Sequence, residues 1–255
     1  MFKKIITSGL AVTMLMGGAH AMASEKEDHE ATINQENTVS YSFDEQDHNF
    51  LPGISDYLKF AGEPHMIEHQ HYLSDLPEEI EGNKGLLMGS NNFGVQNFLY
   101  TTKKVDADLD LKPNTTYNVE FDVNIATNAP KDSRGLYGSP ADDQAIKAGV
   151  TTFKPKSEVT RMIDGPRGSF YAINMDLGMG LVSGTDAIML GDMAKPTSLG
   201  FETYELKNVN NENEPFVITT DQNANLWLTV GTHSFFGGKT TFYLTEISVT
   251  AREVE

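Results

Sequence analysis

The stretch Tyr117-Asn-Val-Glu-Phe-Asp-Val-Asn-Ile125 constrains the fold more than any other part of the chain. In an extended backbone, Tyr117, Val119, Phe121, Val123 and Ile125 share one side and Asn118, Glu120, Asp122 and Asn124 the other. A helix would spread those apolar residues around its axis, so period two decides for a half-buried strand. The same punctuation continues through the rest of the chain. Val39–Phe43 alternates, and Gly85–Met88 and Asn97–Tyr100 are short apolar runs. Further strands are expected at Ala148–Phe153, Phe170–Met175, Ala187–Leu190, Thr203–Leu206, Phe216–Thr219, Leu226–Val230 and Thr241–Val249. Turn chemistry separates them at Lys112-Pro-Asn114, Asp164-Gly-Pro166, Asp221–Asn225 and Gly237-Gly238. A short helical turn is expected between Asp142 and Lys147. About ten strands in one domain from residue 39 to 255 imply an all-β, two-sheet antiparallel β-sandwich, most simply a jelly roll.

Composition narrows the functions open to such a sandwich. There is no Cys, which removes disulfides, thiolate metal sites and a cysteine nucleophile. A formal net charge of −17 argues against nucleic acid and against polybasic attachment to lipid. Lys3 and Lys4, the apolar run Ile5–Met16 and the small-x-small site Ala21-Met-Ala23 read as a bacterial signal peptide over residues 1–23. No later segment is apolar enough to span a bilayer, so the product is expected in the periplasm or outside the cell, not lipidated. Residues 24–38 are polar and acidic, and are expected to be a disordered leader.

Two segments carry a resemblance. Leu111-Lys-Pro-Asn-Thr-Thr-Tyr117, followed by Val119, Phe121 and Val123, resembles the opening of a strand in carbohydrate-binding-module and galactose-binding-like β-sandwiches. Thr240–Thr250 is similar to their closing strand, with Glu246 where those proteins usually carry Asp. Ala126–Pro130, Gly138–Pro140, Lys147–Gly149 and Leu226–Thr232 also resemble an uncharacterised family of exported bacterial proteins. The first resemblance implies a structural Ca2+ between the first and last strands, with Asp44 and Glu246 as its ligands. It also implies a polysaccharide or oligosaccharide as partner.

The residues offer several chemistries. Sugar rings present apolar C–H faces that stack on aromatic side chains. Trp227, the single tryptophan, faces away from Leu226, Leu228 and Val230 and is one such platform. Phe235 and Phe236 in a Gly-rich loop and Tyr137 beside Gly138 are others; adjacent Phe235 and Phe236 cannot both point inward in an extended chain. Asn91, Asn92 and Asp176 add polar groups for a groove. Glu120 and Asp122 resemble the paired acids of jelly-roll β-glucanases. Same-face neighbours on a strand lie ~7 Å apart, within the ~5–9 Å that glycoside hydrolysis needs. The third acid of that pattern is missing, with Asn124 near its place.

His65, Glu68, His69 and His71 do not match a zinc-protease spacing and read as surface histidines of a loop or edge strand. Asp221-Gln-Asn-Ala-Asn225 lacks the Gly and Glu of an EF-hand loop and reads as a hairpin turn. The expectation is therefore an exported, non-catalytic carbohydrate-binding sandwich. A hydrolase or lyase using Glu120 and Asp122, and an envelope or matrix interaction protein, are the alternatives.

Overall fold

A computed structural model describes residues 36–59, 69–92, 96–163, 168–197 and 200–254. The expected signal peptide, most of the acidic leader, His65, Glu68 and the 164–166 turn lie outside the described residues. The chain opens with β1 (Glu36–Ser42), β2 (Leu51–Ser55), β3 (Tyr57–Lys59), β4 (His69–Asp75), β5 (Lys84–Asn91) and β6 (Asn97–Lys104). A single helical turn, α1 (Asp106–Leu109), leads to β7 (Thr116–Thr127), β8 (Gln144–Thr151), β9 (Ser157–Ile163) and β10 (Gly168–Ile173). The remainder is β11 (Ile188–Asp192), β12 (Glu205–Asn210), β13 (Phe216–Thr219), β14 (Trp227–Ser234) and β15 (Lys239–Glu253).

Strand pairing builds one seven-stranded, one five-stranded and one three-stranded sheet. The order β5-β15-β7-β12 in the first faces β6-β14-β8-β11 in the second. The connections β5–β6, β6–β7, β7–β8, β11–β12, β13–β14 and β14–β15 each cross from one large sheet to the other, which is the arrangement of a jelly roll. β4 closes one edge of the seven-stranded sheet and β2 one edge of the five-stranded sheet. β1 pairs with the far half of β15, from Glu246 to Arg252. It starts at Glu36, so the last three residues of the expected leader belong to a strand.

The core lies between the two large sheets. Tyr117, Val119, Phe121, Val123 and Ile125 are each at most 1% exposed. They pack with Leu228 and Val230 of β14, Ile146, Ala148 and Val150 of β8, and Leu99 of β6. Each such side chain contributes roughly 1.5–3 kcal/mol by leaving water. In β15 the inward residues are Phe242 and Leu244, then Ile247, Val249 and Ala251. The parity changes because the register against β7 slips between Leu244 and Glu246. One extra residue there turns the rest of the strand over, so both halves bury their apolar side.

The five-stranded sheet also has a covered outer face. Phe98 and Tyr100 of β6 pack there against Ile173, Met175, Leu177 and Ala187, forming a second apolar cluster. The covering chain comes so close that a Cβ on Gly149 would sit 2.0 Å from the Asp186 carbonyl oxygen. This cover explains one departure from expectation. Residues from Gln144 onward belong to β8 instead of a helical turn, because Ile146, Ala148 and Val150 face the inner core while Lys147 and Gly149 face the cover. The short β2, β3, β4 and β9 were not foreseen: they sit at sheet margins, where partial exposure leaves no clean apolar alternation.

Candidate functional site

Alternation between the sheets brings four connections to one end of the sandwich: β5–β6, β7–β8, β11–β12 and β14–β15. Five of the expected site residues meet there. Asn92 donates from Nδ2 to the Phe236 carbonyl at 3.1 Å, and its own N–H donates to the Gly238 carbonyl at 3.0 Å. Tyr137 forms an isolated bridge with Gly237, whose N–H donates to the Tyr137 carbonyl at 2.8 Å. Asn91 pairs with Lys239 at the start of β15.

Their roles divide. Phe236 is buried between Gly135 and Gly238, where an added Cβ would come within 2.5 Å of its ring from either side. Asn92 is buried as well. Both therefore hold the loops together and leave little side-chain surface open to a ligand. Tyr137 is 69% exposed, and Phe235 is half-buried with its ring centroid 5.1 Å from that of His233. The adjacent phenylalanines do point differently, as an extended chain requires.

Beside these loops lies a groove of about 250 Å3. Phe201 and Tyr204 supply aromatic rings, Asn128 and Gln144 amides, Thr240 and Thr241 hydroxyls, and Lys239 a cation. Tyr204 is braced edge-on by Tyr243, with ring centroids 5.5 Å apart, and burial raises its hydroxyl pKa. The loop that carries Phe201 is held from beneath by Lys195. That fully buried ammonium donates to the Gly200 carbonyl at 2.8 Å and the Thr203 carbonyl at 3.1 Å. The Asn128 amide donates to the Phe201 carbonyl at 2.9 Å. Thr240 donates to the Gln144 side-chain oxygen at 2.8 Å, whereas the buried Thr241 Oγ1 has no hydrogen-bond partner. Lys239 also borders a second groove of about 270 Å3 with Gln70, Ser90 and Asn91. Among the described residues lining either groove there is no carboxylate.

The sequence did not single out Phe201, Tyr204, Asn128, Gln144 or Lys239. Phe201 had an available signal, an aromatic residue next to a loop glycine, Gly200, as Tyr137 is next to Gly138.

The other expected residues lie elsewhere. Trp227 opens β14, seven residues from Ser234 and so roughly 23 Å from the loop end at ~3.3 Å per residue. It does not line the groove at the loop end. Its ring faces away from Leu228, is partly buried, and has Lys154 Nζ 5.3 Å above its centroid. Asp176 is exposed and organises its own loop. It accepts from the Gly178 N–H at 3.0 Å and from the Thr185 N–H and hydroxyl at 3.1 Å, and these bonds hold its pKa low.

Glu120 and Asp122 stand on the outer face of the seven-stranded sheet beside a groove of about 230 Å3 that also contains Glu212 and Asn210. Glu120 is paired with Arg252, and Asp122 accepts from Asn208 Nδ2 at 2.7 Å. Asp44 accepts from the Asn83 N–H at 2.5 Å, the Asn83 amide at 3.2 Å and the Lys84 N–H at 3.3 Å, and the two backbone bonds lead in lowering its pKa. Glu246 accepts from Asn124 at 3.3 Å. Asp44 thus aims its oxygens at N–H donors. Among the described residues no three His, Asp or Glu side chains gather as a cation site. His69 and His71 sit on β4, the edge strand; His69 is exposed, whereas His71 is half-buried, with Nε2 2.8 Å from Thr101 Oγ1 and its pKa lowered by burial. No helix among the described residues is long and apolar enough to cross a membrane.

The strand order defines a jelly-roll β-sandwich with a polar and aromatic groove among the loops at one end. No family model matches the chain, and no curated protein matches it either. Among solved structures, a cleaved adhesin domain of Lys-gingipain from Porphyromonas gingivalis is similar over 86% of this chain and 97% of that one, at 14% identity and a TM-score of 0.26. Identity of that order speaks to fold alone, and the score adds nothing to the strand order above.

Proposed function

We propose that the protein is exported and binds carbohydrate, without cleaving it, in the groove between Phe201, Tyr204 and Lys239. The observation that carries this reading is the lining itself: aromatic faces, amides and hydroxyls, an unpartnered Thr241 Oγ1, and no carboxylate among the described lining residues. Aromatic rings take the C–H faces of a sugar, and amides and hydroxyls take its hydroxyl groups. Lys239 borders two neighbouring grooves, which suits a chain of several sugar units. Glycan-array binding that is lost in Tyr204→Ala and Phe201→Ala supports the proposal. Release of reducing sugar that disappears in Glu120→Gln would replace it with the hydrolase reading.

The interaction-protein reading has one observation in its favour. Leu136, Tyr137 and Met179 are 87%, 69% and 80% exposed on loops adjoining Phe235–Gly237. Capture of a defined envelope protein, abolished by Leu136→Ser with Met179→Ser and not by Tyr204→Ala, would favour it.

A structural Ca2+ is part of the proposal only through the resemblance. It would have to displace the Asn83 and Lys84 donors from Asp44. A melting temperature lowered by chelator supports it.

A further inference from the structure

A further groove lies toward the other end of β14. It holds about 300 Å3 between β2 and the Lys154–Ser157 segment, with Leu51, Pro52 and Ile54 on one side and Lys154 and Lys156 on the other. We propose that this groove is a separate binding site for an acidic carbohydrate, one bearing carboxylate or sulfate groups. The proposal does not rest on the function assigned to the loop-end groove.

Charge is the first support. The chain has 19 Lys+Arg against 36 Asp+Glu, yet Lys154 and Lys156 both line this one groove. Lys104 is the ladder partner of Trp227, Lys154 stands over the indole, and Lys156 lies two residues further on. Among the described residues Lys154 makes no ion pair; its Nζ stands over the indole face, which attracts a cation without neutralising it. Lys104 and Lys156 pair with Asp106 at 3.1 Å and Glu158 at 2.6 Å. Both ammonium groups are well exposed, so these are exchangeable surface pairs that a ligand anion can replace.

The groove wall is the second support. Ser157 Oγ is buried beside the groove with no hydrogen-bond partner, a donor left over by the fold. Leu51 is 40% exposed, and with Pro52 it gives an apolar strip for the C–H face of a sugar. Gly53 has no side chain because the Tyr100 ring occupies that space, with Cζ 2.1 Å from where a Cβ would be. The β2 side of the groove is therefore set by backbone and by a fixed ring. A polyuronate or sulfated glycan matches anionic groups to Lys154 and Lys156 and apolar ring faces to Leu51 and Pro52. Nucleic acid fits less well, because its dense charge meets a protein of net charge −17 with few compensating lysines.

Affinity electrophoresis of the full chain through gels containing polygalacturonate, dextran sulfate, neutral dextran or oligo(dT) tests this directly. Retardation by polygalacturonate or dextran sulfate is expected, weakening with salt, with none in neutral dextran beyond that of Lys154→Gln/Lys156→Gln. Which polyanion retards distinguishes carboxylate from sulfate. The double variant should lose about tenfold in affinity while melting at the wild-type temperature, and Tyr204→Ala should retain full retardation. No retardation by either glycan, retardation unchanged in the double variant, or equal retardation by oligo(dT) would overturn the site. None of these outcomes bears on the loop-end groove, which is read by the Tyr204 variant on neutral glycans.

Discussion

The Lys147 ammonium ends 2.6 Å from the Leu177 carbonyl oxygen and 2.8 Å from that of Val182. The side chain is fully buried, so it acts as a pin between β8 and the chain that covers the outer face of the five-stranded sheet. Lys147→Met keeps the apolar stem and leaves both carbonyls without their donor. Urea unfolding should show a loss of roughly 2 kcal/mol.

The same lysine sets a pH dependence. Burial pushes its pKa down to about 8, against the partial opposition of Asp176 and Asp56. Between that value and the unfolded value near 10.5 the unfolded chain binds more protons, so stability from this group rises as pH increases through that window. A neutral amine still has two N–H groups for the two carbonyls. The wild type should therefore gain on Lys147→Met between pH 8 and pH 10 in paired urea titrations. A constant gap would refute the assignment.

His233 predicts the opposite end of the scale. Its ring lies against Phe98 and Phe235, both nitrogens are buried without partners, and burial lowers its pKa to about 4. The folded state resists protonation, so stability from this group is lost as pH falls from about 6.5 toward about 4. His233→Phe removes two unsatisfied nitrogens. It should melt no lower than wild type at pH 7 and show a shallower decline on acidification.

Gly149→Ala tests the cover itself. The new methyl carbon would meet the Asp186 carbonyl oxygen at 2.0 Å and the Ala187 Cα at 2.8 Å, both backbone atoms. Overpacking of this kind costs about 1–3 kcal/mol. Proteolysis within 176–186 should accelerate in the variant, whereas faster cleavage confined to other loops would contradict this account of the glycine.

Glu120→Gln separates binding from catalysis. The Glu120–Arg252 pair is partly exposed, and its loss should change stability by less than ~1 kcal/mol. Glycan binding should be unaltered and no sugar release should be measurable in either protein. Release by the wild type alone would move function to the sheet face.

The sandwich was legible where side-chain alternation met full burial. Tyr117–Ile125 announces its inward face directly, and even the slip in β15 is written in the sequence, as Phe242 and Leu244 give way to Ile247 and Val249. The outer cover was not legible. Lys147 and Gly149 look like solvent-side residues of β8, and only the distant chain around Leu177 and Asp186 gives them their roles. The site was half legible for the same reason. Tyr137, Phe236 and Asn92, singled out through loop composition, do lie at the end that carries the proposed groove. Yet whether an aromatic ring in a loop becomes a platform or a plug depends on partners far away in sequence, as Gly135 decides for Phe236. Tyr204 depends likewise on Tyr243.

The jelly roll assigns folding and the proposed recognition to different parts of the chain. Its strands carry the core, while the turns bearing Tyr137, Phe201 and Phe235 hang from one rim. Exposed positions in those turns can drift through mutation at little cost to the framework, so related sequences are free to change specificity faster than architecture.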